Sequence, residues 1–193
     1  MSKDAVLKLI KDEDVDYVDI RFTDVRGKLQ HVTVVADLVD EDFLEEGFMF
    51  DGSSISGWKS IEASDMKLMP DTESAYVDPF YAEKTLCIHC SVVEPDTGKS
   101  YDRDPRGTAE KAEAYLKSSG IGDVAYFGPE AEFFIFDDVR FSNTINKVSY
   151  QVDAVDASWN SDTEYEMGNT GHRPGLKGGY FPVNPIDDAQ DLR

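Results

Sequence analysis

With 193 residues, 40% apolar and 11% aromatic, the chain carries enough apolar material to bury the core of one large or two small domains. Its 39 acidic against 19 basic side chains give a formal charge of -20, spread along the chain, and such a field repels phosphate backbones and anionic lipid. Nucleic acid and membrane are therefore not expected as partners. No run approaches the roughly 20 apolar residues of a membrane span, the opening MSKDAVLKLIKDEDVD lacks the apolar centre of a secretory signal, and a cytoplasmic protein is expected.

Residues 2–11 place Val6, Leu7, Leu9 and Ile10 among Lys and Asp, which predicts a short amphipathic helix opened by Ser2 as cap, within residues 1–12. In VDYVDIRF, Val15, Tyr17, Asp19 and Arg21 alternate with Asp16, Val18, Ile20 and Phe22, and the second set reads as the inward face of a strand. The turn TDVRGK then leads into LQHVTVV, a hairpin signal. Asp37 to Glu46, closed by Gly47, reads as a second helix, and the Gly- and Ser-rich stretch after it as a loop.

MKLMP, SAYVDPF and KTLCIHCSVVE supply further strands, with PDTGK as the last turn, so residues 13–98 form a small α+β domain. Cys87 and Cys90 stand in a β-branched run where residues three apart point to opposite faces, which favours buried structural thiols over a redox pair. In YDRDPRGTAEKAEAYLKSSG, Asp104 is a cap and Pro105 the first helical position, with Ala109, Ala112, Tyr115 and Leu116 on one stripe. That helix opens a second domain, 105–193. DVAYFGPEAEFFIFD reads as an aromatic-rich strand with VSYQVDAV as its hairpin partner. Ser158 to Asn184 reads as a long functional loop, and Asp187 as the cap of a helix hardly begun, so the second domain is read as truncated.

Two segments carry chemistry. Glu130 and Glu132 are two apart in GPEAEFFIF, so strand geometry puts both carboxylates on one face, where they repel by about 2 kcal/mol at an effective dielectric near 20. The flanking aromatics point to a buried central strand, and a divalent cation would remove the repulsion; oxygen-only donors favour Mg²⁺ or Mn²⁺. A solvated strand edge with two ordinary glutamates is the competing reading. In FMFDGSSISGWKSIEASDMKL, Asp51 is either a turn-former before a flexible Gly52 or a carboxylate that binds a cation and accepts a proton, and an exposed Trp58 suits a flat ligand or a partner subunit.

FDGSSISGWKSIEASDM, GPEAEFFIFDDVRF and GNTGHRPGLKGGYFPV, with DPFYAEKTL and YDRDPRGTAEKAEAYL between them, resemble bacterial type I members of the glutamine synthetase family over residues 13–193. The resemblance implies a β-grasp domain followed by a catalytic α/β domain with a curved antiparallel sheet. It also implies subunits in two stacked hexameric rings, each active site lying between neighbours. The implied reaction joins ammonium to L-glutamate with ATP as second substrate, through γ-glutamyl phosphate, to give glutamine, ADP and phosphate.

By position, Glu130 and Glu132 match metal ligands, one for each of two Mg²⁺ or Mn²⁺ ions. Asp51 matches the residue that binds ammonium and takes its proton, Ser54 a serine near that site, and Tyr180 a tyrosine close to the ammonium pocket. Trp58 would sit at a subunit boundary. The family's remaining metal, phosphate and nucleotide ligands lie beyond Arg193, so this chain alone is expected to be inactive. Two other readings compete: a γ-glutamyl-amine ligase of the same fold, and a non-catalytic oligomerisation module.

Overall fold

The computed structural model describes residues 1–154, 157, 179, 181–184, 186, 187 and 189–193, which fall into two compact units, Met1–Tyr126 and Phe127–Arg193. In the first, Ser2 accepts a hydrogen bond from the Ala5 amide and opens α1 (Lys3–Asp12), with Val6 and Ile10 buried as their spacing predicts. β1 (Tyr17–Thr23) and β2 (Leu29–Val35) form the expected antiparallel hairpin, Tyr17 opposite Val35. The helix predicted over 37–46 is broken. A 3-10 turn at Ala36–Leu38 ends before Asp40, whose carboxylate accepts from the Phe43 amide and starts α2 (Glu41–Glu46) afresh. An Asp that bonds a nearby amide favours a cap over a helix interior, and this competition splits the run. Gly47 then turns the chain at φ +81°, where an added Cβ would lie 2.5 Å from the Leu68 carbonyl oxygen.

That turn leads directly into β3 (Phe48–Asp51), a strand where the sequence reading expects loop. β4 (Asp65–Pro70), β5 (Tyr76–Asp78) and β6 (Thr85–Val93) complete a mixed sheet in the order β2-β1-β6-β4-β3, with β5 also on β6. β1 and β6 run parallel and the other pairs antiparallel. Parallel pairing aligns Val18 with Leu86 and Ile20 with Ile88, so these side chains share one face and pack with Phe22, Met66, Leu68, Cys90, Val92 and α1 as the core. Cys87 lies on the opposite face beside Asp19. Both thiols are free and buried, as predicted; burial pushes Cys87 up to about 11 and Cys90 further still, which keeps both protonated and inert.

The outward face of β1 departs from the alternation rule. Asp19 is only 1% exposed, because Arg21 Nε (2.8 Å), His31 Nδ1 (2.6 Å) and Thr33 Oγ1 (2.7 Å) converge on its carboxylate. Arg21 also reaches Asp78 on β5 at 3.0 Å and the Tyr76 hydroxyl at 2.8 Å, so one guanidinium ties two strands together. Burial alone would raise the Asp19 carboxyl, but the hydrogen bonds from Arg21, His31 and Thr33 outweigh it and hold it below its ordinary value. A depressed carboxyl contributes stability above its unfolded value of about 3.9, and that stability is lost as pH falls through the lower native value. Asp19→Asn is expected to lower the unfolding free energy at pH 7 by about 3 kcal/mol, since it breaks a buried pair. Urea unfolding at pH 7 and pH 3 should show the wild type losing more stability with acid than the variant; equal losses would remove Asp19 from the account.

α3 (Pro105–Ser119) begins at Asp104, as predicted: one carboxylate oxygen accepts from the Arg106 amide, and the other accepts from the Val92 amide at 2.9 Å, fixing the helix start to β6. Its apolar stripe is left open. Among the described residues no element covers Ala109, Ala112 or Tyr115, and only Gly107 of the helix is buried, because periodicity states which face can be buried and a second surface must still be supplied.

The aromatic segment is corrected more strongly. Residues 123–136 form no strand, and Tyr126, Phe127, Phe133 and Phe134 are exposed rather than central. A strand exists only where a neighbour takes up its amides and carbonyls, and no described strand pairs with this one. VSYQVDAV finds a different partner. In the second unit β7 (Asp138–Thr144) and β8 (Lys147–Asp153) form a hairpin with Asp138 opposite Asp153, and Arg140 pairs with both. Near the C-terminus Asp187 accepts from the Ala189 amide and pairs with Arg193, making a turn with no helix after it among the described residues. No described helix is long and apolar enough to cross a membrane.

Candidate active site

Asp51 is the last residue of β3, at the exposed end of an outer strand of the sheet, opposite Asp65 on β4. Its carboxylate accepts from the Ser53 amide (2.8 Å) and the Ser53 hydroxyl (2.6 Å), closing a 3-10 turn over Gly52–Ser54. These two bonds from Ser53, the hydroxyl's first, hold Asp51 below the ordinary carboxylate range, so it is charged throughout the neutral range. The Gly52 amide donates to the Ser64 carbonyl at 2.7 Å, and an added Cβ on Gly52 would sit 2.2 Å from Met66 Sδ. Glycine is needed here for close approach to the core. Ser54 is exposed one residue further on, so the turn carries a charged carboxylate and a second, exposed serine. Ser53, which the sequence reading passes over, is Asp51's actual partner; the Asp-x-Ser spacing, with its known tendency to bond two residues on, is the signal that could have found it.

Trp58 is a correction. It is 6% exposed, with its ring 5.4 Å from Phe22, 5.4 Å from Tyr101 and 6.1 Å from Phe50, centroid to centroid. An aromatic among Gly and Ser reads as exposed in sequence, but the loop folds back and drives it into the core. Lys59, beside it, bonds both oxygens of Glu94 at 2.7 and 2.8 Å.

Glu130 and Glu132 lie in the second unit, exposed, in the segment without strand structure. Each offers oxygen donors of the kind Mg²⁺ and Mn²⁺ prefer, and among the described residues no group of three or more His, Cys, Asp or Glu is gathered around a common point. The first unit thus brings Asp51, Ser53 and Ser54 together, and Glu130 and Glu132 stand two apart in the second. Tyr180 lies outside the described residues.

A hairpin, a crossing helix and a return strand parallel to the first define a small α+β fold in the first unit. Family profiles divide the chain in the same sense: "Glutamine synthetase, beta-Grasp domain" matches residues 14–95, and "Glutamine synthetase, catalytic domain" matches residues 102–193. The chain belongs to the glutamine synthetase family. It is 78% identical over 194 residues to a glutamine synthetase of Cereibacter sphaeroides, covering 100% of this chain and 42% of that protein. A glutamine synthetase of Escherichia coli K12 is 55% identical, with 100% of this chain and 41% of that protein covered. The chain therefore spans about two fifths of the length of these relatives. In fold it resembles the Plasmodium falciparum glutamine synthetase seen by electron cryomicroscopy, with a TM-score of 0.67 at 24% identity over 100% of this chain and 38% of that one.

Proposed function

We propose that this chain is the N-terminal part of a cytoplasmic glutamine synthetase that ligates ammonia to L-glutamate at the expense of ATP, through γ-glutamyl phosphate, in an assembly of two stacked hexameric rings. The observation that carries the reading is the Asp51 turn: an exposed carboxylate, kept charged by Ser53, at the end of a sheet strand in a chain that is 78% identical over its length to a glutamine synthetase. In this reading residues 13–98 lend the turn to a neighbouring subunit and residues 105–193 begin the catalytic domain.

Ammonium is a cation and must lose a proton before its nitrogen can attack. A carboxylate that is charged at neutral pH attracts the cation first and accepts the proton as the nitrogen turns nucleophilic, which is the part assigned to Asp51. Ser54, whose hydroxyl would orient the nitrogen, and Tyr180 are assigned to the same pocket by resemblance. Glu130 and Glu132 supply oxygen donors for one divalent ion each. Mg²⁺ or Mn²⁺ bound there would neutralise phosphate oxygens of ATP that otherwise repel the γ-carboxylate of glutamate.

The test is ATP-dependent amide formation by the full-length protein, with ammonia compared against putrescine. Glutamine formation with ammonia, and little product with putrescine, is the expected result. Preference for putrescine would replace the reading by a γ-glutamyl-amine ligase, and no ligation with either amine would leave an oligomerisation module.

A further inference from the structure

We propose that Lys59 and Glu94 are positioning residues for the amine-accepting turn, holding Asp51 and Ser54 in register from the far side of their loop; the proposal rests on the assignment of Asp51 given above. The loop runs from Gly52 to Ser64 and is fixed at its base by the Gly52 amide to Ser64 carbonyl bond, and by pairing of Asp51 with Asp65. A loop of this length held only at its base would leave its middle free. Here the middle is held as well. The Trp58 ring is packed in the core, Lys59 Nζ meets both Glu94 oxygens, and the same ammonium lies 5.2 Å above the Tyr101 ring. Arg103 donates to the Gly57 carbonyl.

Glu94 is a firm anchor, because its own amide bonds the Lys99 carbonyl and its carbonyl accepts from Gly98, closing the turn after β6. Two successive three-residue turns carry the constraint back to the site: the Trp58 amide donates to Ile55, and the Ile55 amide donates to Gly52. Residue 59 is thereby linked to the peptide beside Asp51 by short bonded steps with no free segment between. Both side chains of the ion pair are mostly withdrawn from solvent, at 20% and 30% exposure, yet neither belongs to the apolar core. Removing them should shift the loop without unfolding the sheet.

The experiment uses the full-length protein with Lys59→Met, Glu94→Gln, Lys59→Arg and the exchanged pair Lys59→Glu with Glu94→Lys. The KM for ammonia is expected to rise about tenfold in the first two, because displacement of a positioning element by about 1 Å is enough for losses of that order or larger. KM values for ATP and glutamate should stay within about twofold, and the melting temperature within about 3 °C. Lys59→Arg and the exchanged pair should restore most of the ammonia KM, which a general loss of packing would not do. Unchanged ammonia KM in both single variants, or an equal rise for all three substrates, overturns the proposal. Asp51→Asn in the same assay separates the two readings: a normal ammonia dependence there removes the site assignment and this proposal with it, whereas a large effect there with none at Lys59 or Glu94 removes this proposal alone.

Discussion

Trp58→Ala is expected to destabilise the N-terminal unit by about 3–5 kcal/mol, the range found when a buried aromatic is truncated and the cavity does not collapse. The indole lies within about 6 Å of three other aromatic rings, so its removal opens contacts to Phe22 on β1, Phe50 on β3 and Tyr101 after β6 at once. Trp58→Phe keeps most of those contacts. It also deletes an indole Nε1 that is buried without a hydrogen-bond partner among the described residues, so its loss should be about 1–2 kcal/mol. Urea unfolding of the chain measures both. If alanine were tolerated with less than about 1 kcal/mol lost, the ring would not be part of the core, and a surface role for Trp58 would return.

Asp51→Asn in the full-length protein is expected to lower kcat/KM for ammonia by about 10²–10⁴-fold, the usual contribution of a positioned proton acceptor. Asparagine keeps a side-chain oxygen able to accept from Ser53, so the turn should survive, and the melting temperature should move little. This choice of substitution separates chemistry from folding. A variant with a lowered melting point and unaltered ammonia dependence would make Asp51 a turn residue only.

Local features were the most legible in sequence. Ser2, Asp104, Pro105 and Gly47 act at element ends through bonds or angles within a few residues of themselves, and each does in the structure what its identity implies. The inward set Val18, Ile20 and Phe22 and the opposed faces of Cys87 and Cys90 also follow from strand alternation alone. The burial of Trp58 and of Asp19 is not legible in the sequence, for one common reason. Each is buried with help from groups distant in sequence, Trp58 by Tyr101 and Asp19 by His31, Thr33 and the Asp78 that holds Arg21 in place, and periodicity carries no information about such partners.

The candidate site divides along the same line. The Asp51 turn is built from contacts within two residues, and its Asp-Gly-Ser-Ser motif was visible at once. The Glu130 and Glu132 segment depends on neighbouring strands, so an aromatic-rich sequence could announce a strand there that no described residue completes. α3 shows the same dependence in helical form, with a stripe that is correctly spaced and open to solvent.

The parallel pairing at the middle of the sheet sets an order of events during synthesis. Tyr17 must wait for Thr85, about 70 residues later, and at 5–20 residues per second the delay is roughly 3–14 s. Over that interval β1 and β2 can close as a hairpin, yet Val18 and Ile20 have no Leu86 or Ile88 to meet, so a greasy ribbon stands bare on the nascent chain. Survival of the newborn domain then depends on how long that ribbon can be kept from other ribbons like it.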